Sequence, residues 1–155
     1  VVEIKKNYGA RLRAFSVDEL VEIMEVTEAA LVLGVRKCAE RIGSASQEDV
    51  ARLDQSFAQM EAAWHAHDAA DFVDSIYYFH NNINAIAGNR FLEFVYQRPH
   101  FAFFNRHLAG ALPGPGWQEY LDSYRRVYKT VREGQVHAAQ AAFSAHMQWA
   151  ISLMK

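Results

Sequence analysis

The chain has 155 residues, 51% of them hydrophobic, and its 16 basic and 18 acidic side chains give a formal net charge of −2. This length is typical of one domain with a substantial core, and the charge balance excludes binding of nucleic acid by electrostatics over the whole chain. Cys38 is the only cysteine, which excludes an internal disulfide and a cysteine-cluster metal site. Without a signal peptide or an apolar run of about 18 residues, we expect a soluble, cytoplasmic protein with no membrane partner.

The first fourteen residues differ in kind from the rest of the chain. Two short runs of β-prone residues, 1–4 and 10–13, flank the turn-forming sequence KKNYG. We predict a β-hairpin here. An isolated two-stranded hairpin is only marginally stable in water, so we expect this hairpin to be the edge of a larger structure.

Capping patterns predict the starts of three helices. Ser16 followed by Glu19, and Ser46 followed by Asp49, each place a hydroxyl three residues before a carboxylate, the spacing of a capping box. Asp68 is the expected cap of the third helix. Each start is followed by apolar residues at spacings of three and four, which is the periodicity of an amphipathic helix.

Glycine and proline predict where the helices end. We expect Gly43 to stop the first helix, and a fourth helix to begin near Asn89 and to kink near Arg98, because Pro99 removes a backbone donor. The sequence LPGPG at residues 112–116 predicts a loop. With two further helices, the sequence predicts an all-α antiparallel bundle of about six helices. The last two apolar stripes comprise Trp117, Tyr120, Leu121, Tyr124, Val127, Tyr128 and Val131, then Val136, Ala139, Phe143, His146, Met147, Ala150 and Met154.

His80 lies on the apolar face of the third predicted helix, and His146 lies within the last apolar stripe. A polar ring in a core needs a partner, because an unpaired buried polar group costs about 1–3 kcal/mol. Two converging neutral imidazoles could bind a divalent metal such as zinc, or each could be a hydrogen-bonded core residue. The apolar face of the third helix comprises Phe72, Ile76, Phe79, His80, Ile83 and Ala87.

Three further side chains could join the two histidines. Tyr77 and Tyr124 could offer phenolic oxygens, although aromatic stripes at helical spacing are usually core, and Asn84 follows His80 by one helical turn. Arg125 fits an ordinary solvated face. No nucleophile–histidine–acid order, phosphate loop or cofactor fingerprint is present, so the sequence favours a protein that is not an enzyme.

Four short motifs resemble a known family. In order, these are FH ending at His80, AGN ending at Asn89, EGQ around Gly134 and AHM around His146. Their order and separations resemble the FCD domain, the C-terminal effector-binding and dimerisation domain of one large branch of the GntR transcription regulators. The first residues resemble the end of a winged-helix wing in the same proteins.

The resemblance implies a domain organisation and partners. Residues 1–14 would be the remnant of the wing and linker, and residues 15–155 the FCD-like effector-binding and dimerisation domain. A DNA-binding winged helix would precede Val1 in the intact protein, and the expected partners are a small-molecule effector, DNA through that winged helix, and a second copy in a homodimer.

The resemblance also implies a ligand set, from which this sequence departs. Many members bind a divalent ion such as zinc through one aspartate and three histidines. His80 and His146 match the first and last histidines, whereas Ile76 stands where the aspartate belongs and Tyr124 where the middle histidine belongs. Thr27 and Leu31 stand where the family has Arg and Glu early in its first helix.

The expected function is therefore ligand sensing in a repressor, with a small organic acid or similar metabolite bound in the bundle to modulate DNA binding. The expected ligand contacts are His80, Tyr124, His146, Asn84 and Tyr77. Two alternatives remain: a metal-dependent helical enzyme that uses His80 and His146, and a ligand-free dimerisation module.

Overall fold

The computed structural model describes residues 2–5, 9–12, 16–92 and 115–153. Its elements are β1 (Val2–Lys5), β2 (Gly9–Leu12), α1 (Val17–Arg41), α2 (Gln47–His65), α3 (Ala69–Ala87), α4 (Pro115–Arg132) and α5 (Val136–Ser152), with a short 3-10 helix at Ile42–Ser44. Apart from the first two elements, the described part of the chain is a helical bundle, as the periodicity predicts.

The two strands pair with each other. β1 and β2 are antiparallel, with Val2 opposite Leu12 and Lys5 opposite Gly9. Each strand lies within one residue of the run that predicted it. The assignment of these strands to a winged-helix wing stays a prediction.

The predicted caps are present at the first two helices. Ser16 Oγ accepts a hydrogen bond from the Glu19 backbone N–H at 3.2 Å, and the Glu19 carboxylate accepts from the Ser16 N–H at 2.9 Å, which completes a capping box. Ser46 Oγ accepts from the Asp49 N–H at 3.0 Å. These bonds satisfy backbone donors that have no partner inside their helices, and so they fix where α1 and α2 begin.

The predicted loop at residues 112–116 is wrong at its C-terminal end, because α4 begins at Pro115. Proline is favoured at the first position of a helix, where its missing N–H would have had no intrahelical partner. Residues 112–114 lie outside the described residues. So does most of the predicted fourth helix with its kink near Arg98, although residues 90–92 are helical, close to its expected start.

In the described part of the chain, all five helices contribute side chains to one core. α1 packs against α3, α4 and α5, and α4 packs against α5, while α2 covers α3 and also contacts α4. Among the described residues, no helix has the length and apolar composition needed to cross a membrane. The largest side chains with almost no exposure are Phe79, Phe143, Met24, Leu53, Met60, Ile83, Leu121 and His80. A histidine is therefore among the most deeply buried side chains of this bundle.

Candidate functional site

The ends of α3 fix the position of His80. The Asp68 carboxylate accepts hydrogen bonds from the backbone N–H groups of Ala70 and Asp71, both at 3.0 Å, and Gly88 ends the helix with a φ of 64°. That left-handed conformation favours glycine. Between these caps, the whole predicted apolar face is buried, and His80 is 1% exposed. The prediction that this imidazole points into the core is confirmed.

His80 is hydrogen-bonded to a tyrosine from another helix. Its Nε2 lies 2.9 Å from the hydroxyl of Tyr124 on α4, which is itself buried. The ring of Phe143 from α5 packs edge-on against the imidazole at a centroid distance of 5.2 Å. The contact thus joins α3 to α4 and is enclosed by an apolar ring from α5.

His146 on α5 lies beside the same tyrosine. Its ring centroid is 4.7 Å from that of Tyr124 and 4.8 Å from that of Tyr120. Its Nδ1 lies 2.7 Å from the Oγ of Ser123. The structure therefore brings together three of the predicted site residues, His80, Tyr124 and His146, from three different helices.

The hydrogen bonds of Ser123 determine the tautomer of His146. Ser123 Oγ donates to the backbone carbonyl of Tyr120 at 2.6 Å, which uses its single proton. The Nδ1 of His146 must then carry a proton and donate to Ser123. In the neutral ring, Nε2 of His146 is consequently a hydrogen-bond acceptor.

Burial keeps both imidazoles neutral. It lowers the pKa of His80 to about 3, with a further contribution from nearby His146. It also lowers the pKa of His146 to about 3, helped by the positive charge of Arg126. Burial raises the pKa of the Tyr120 phenol, and a hydrogen bond with Tyr124 opposes that rise. At neutral pH, these side chains form a buried polar cluster of uncharged donors and acceptors, made up of His80, Tyr120, Ser123, Tyr124 and His146.

The other two predicted ligand residues lie at different depths. Asn84 is 4% exposed and follows His80 by one turn on the buried face of α3. Tyr77 is half-buried at the margin of that face, where its ring lies 5.8 Å from the ring of the exposed Tyr78. The polar cluster thus extends along α3 toward Asn84.

Two members of the cluster were missed in the sequence. Tyr120 was recognised only as a residue of an apolar stripe, and Ser123 was not singled out. Tyr120 lies one turn before Tyr124, a spacing that could have suggested a second phenol at the site. The contact of Ser123 with His146 joins two helices, and no local pattern indicates it.

The described residues do not fit the zinc site, with one aspartate and three histidines, that the sequence resemblance implies. Among them, no group of three or more His, Cys, Asp or Glu side chains could hold a metal ion. Ile76 is a buried hydrocarbon, and the Tyr124 hydroxyl is engaged by Nε2 of His80. We therefore derive no function through a metal at this site.

Three other residues considered in the sequence have structural roles. Thr27 and Leu31 of α1 are buried, and the Thr27 hydroxyl donates to the Ile23 carbonyl at 2.7 Å. Arg125 makes hydrogen bonds of 2.7 Å to the carboxylates of Glu61 and Asp122. This guanidinium therefore joins α4 to α2 at the surface.

Known proteins share this fold. E. coli McbR/YncC has 14% identity and a TM-score of 0.80 over 99% of this chain and 76% of that protein. For Streptococcus agalactiae GntR, the identity is 17% and the TM-score 0.69, over 97% of this chain and 74% of that one. A transcriptional regulator of the GntR family from Pseudomonas syringae pv. tomato str. DC3000 has 15% identity and a TM-score of 0.68, over 98% of this chain and 62% of that one. A comparison with curated proteins gives no match.

The family assignment rests on a family model. The model of the FCD domain matches residues 19–148, which include every member of the buried polar cluster. The match confirms the resemblance seen in the FH, AGN, EGQ and AHM motifs. The chain belongs to the FCD domain family, and its fold is that of the GntR-type regulators to which it is similar.

Proposed function

We propose that this chain is the ligand-sensing and dimerisation domain of a GntR-type transcription regulator, which binds a small organic metabolite in the helical bundle. The observation that carries the proposal is the buried polar cluster, and within it His80, Ser123, Tyr124 and His146. Each of these side chains is polar, at most 3% exposed, and supplied by α3, α4 or α5. Purely apolar side chains would fill such a core at no cost in desolvation.

Binding of a ligand at the cluster would change the hydrogen bonds that join its helices. The His80–Tyr124 bond joins α3 to α4, and the His146–Ser123 bond joins α5 to α4. A ligand that enters the cluster exchanges hydrogen bonds with these side chains, which changes how the three helices are held together. It switches the protein only if it binds one arrangement more tightly than the other.

In this proposal, DNA binding belongs to a winged-helix domain joined to the N-terminal side of the bundle. The paired strands β1 and β2 would be the last part of its wing. Two structural relatives support this view, since the chain covers 76% of McbR/YncC and 74% of Streptococcus agalactiae GntR, which leaves about a quarter of each uncovered. Operators with two half-sites then call for a homodimer.

A thermal-shift screen tests ligand sensing. The whole chain is heated with a panel of small organic acids and uncharged metabolites, and a ligand of the bundle should raise Tm in proportion to its saturation. The response should be lost in His80→Ala and kept in His137→Gln, which changes an exposed histidine at the start of α5. A panel that never raises Tm would instead support the ligand-free dimerisation module.

Light scattering tests the dimer, and DNA binding tests the regulator. At micromolar concentration, light scattering should give the mass of two copies of the chain. A form that carries the winged helix should bind DNA from its own upstream region, and a ligand found in the screen should change that affinity. A monomer, or DNA affinity that is unchanged by a ligand which raises Tm, would contradict the proposal.

A further inference from the structure

Among the residues that the structure describes, Asn84 is the buried side chain with two polar atoms that lack a hydrogen-bond partner. It is 4% exposed, and neither Oδ1 nor Nδ2 of its carboxamide has a hydrogen-bond partner among the described residues. Buried amides in folded proteins are nearly always paired, because water would otherwise have bonded to them in the unfolded chain. An unpaired carboxamide this deeply buried is therefore a group to which a bound molecule could donate and from which it could accept a hydrogen bond.

α1 leaves room for this carboxamide. A Cβ atom built on Gly34 would lie 2.7 Å from Asn84 Oδ1, closer than such atoms approach, and 3.8 Å and 3.5 Å from side-chain atoms of Ile83 and Leu92. Any other residue at position 34 would therefore displace the carboxamide. The carboxamide oxygen therefore lies at the contact between α1 and α3, where the space beside Gly34 is also bounded by the apolar side chains of Ile83 and Leu92.

The polar surroundings of Asn84 are uncharged. His80 lies one turn away on the same face of α3, and burial holds its imidazole neutral. Arg126, whose charge acts on His146, is exposed. Apart from tyrosines, the buried polar side chains among the described residues are Thr27, Ser56, Ser75, His80, Asn84, Ser123 and His146, and this set contains no Asp, Glu, Lys or Arg.

The chemistry of a carboxamide then selects its partner. Oδ1 needs a donor and Nδ2 needs an acceptor. An ionised carboxylate offers acceptors alone, so it would leave Oδ1 unpaired, and its charge would meet no buried Lys or Arg among the residues that the structure describes. A carboxamide or lactam offers a donor and an acceptor side by side and satisfies both atoms without bringing in a charge.

We propose that Asn84 contacts the ligand of this domain directly and selects an uncharged molecule that carries a carboxamide or lactam group. The inference rests on the proposed function and makes it more specific, from a small organic metabolite to a neutral amide. The acceptor Nε2 of His146 is a second group suited to a donor on such a ligand.

Side-chain NMR of the whole chain tests this inference. The NH2 signals of Asn84 are assigned by their loss in Asn84→Leu, and the labelled chain is titrated with benzamide and, separately, with benzoate, two probes of nearly equal shape. Benzamide should shift the Asn84 signals. Benzoate should bind at least about tenfold more weakly, as should benzamide to Gly34→Ala, in which the added methyl group displaces the carboxamide.

Asn82 supplies the matched control on the same helix. Its Nδ2 donates to the Arg52 carbonyl at 3.0 Å, so Asn82→Leu should lose that bond and keep the response to benzamide. Asn84→Leu should instead raise Tm of the unliganded chain by roughly 3–6 °C, because it removes an unpaired amide.

Two results would overturn the inference. In the first, benzoate binds as well as benzamide. In the second, the Asn84 signals do not move with either probe. If the ring signals of His80 and His146 respond while those of Asn84 do not, the proposed function stands and the role of Asn84 fails.

Discussion

Nε2 of His80 on α3 lies 2.9 Å from the hydroxyl of Tyr124 on α4, and both side chains are buried. Tyr124→Phe keeps the ring and removes the hydroxyl, so His80 loses this partner and Tyr120 loses its hydrogen bond with Tyr124. We expect the free energy of unfolding to fall by about 1–3 kcal/mol, measured by urea denaturation. Tyr78→Phe, on α3, changes a side chain that is 55% exposed and should have almost no effect. Equal stabilities for the two variants would show that the bond contributes nothing.

The two buried histidines make stability depend on pH. Burial lowers the pKa of each imidazole from a usual value near 6.5 to about 3. Between these two pH values, the unfolded chain therefore binds protons that the folded chain does not. Stability is therefore fully present above about pH 6.5 and is lost as the pH falls toward 3. Between pH 7.5 and pH 5, we expect a loss of about 2 kcal/mol per histidine, seen as a lower urea midpoint.

A histidine variant identifies the source of that loss. His146→Gln removes one of the two titrating rings, so the stability lost between the same two pH values should be about half that of the parent chain. The comparison uses the stability that each chain loses between the two pH values. His146→Gln therefore remains informative even where it is less stable than the parent chain at both pH values. Equal losses in both chains would assign the effect to other groups.

The features that the sequence predicted correctly are local ones. Capping bonds such as that between Ser16 and Glu19 span three residues, and the buried face of α3 follows from a spacing of three and four. Both are determined by helix geometry before any tertiary contact forms. The start of α4 at Pro115 was missed because proline is as compatible with a first helical turn as with a loop.

The partners of the site residues were less predictable than their burial. Ser123 meets His146, and Gly34 meets Asn84, through contacts between helices that are far apart in the sequence. Helical periodicity shows which face of each helix is buried, but it does not determine which residues of two faces meet. The expected ligand roles of His80, Asn84 and Tyr77 accordingly stay predictions until a ligand is found.

The contact between α2 and α4 should depend on an aromatic stack more than on the Glu61–Arg125 ion pair. Phe57 stacks on Tyr128 with ring centroids 4.2 Å apart and planes 7° from parallel. The Glu61–Arg125 pair joins the same helices, yet its side chains are 35% and 39% exposed, so water screens it. In urea denaturation, Glu61→Gln should cost at most about 1 kcal/mol, and Phe57→Ala about 3–5 kcal/mol. A larger loss for Glu61→Gln would reverse this ranking.

The thiol of Cys38 should be unreactive in the folded chain. Its side chain is 0% exposed, and burial raises the pKa of its thiol to about 12. The thiolate is the reactive form, so a disulfide reagent at pH 8 should label the native chain at least about a hundredfold more slowly than the chain in urea. Ser44→Cys adds an exposed thiol near the end of α1 and should label at once, with one equivalent per chain. Rapid uptake of one equivalent by the unmodified native chain would show that the helices around Cys38 open readily.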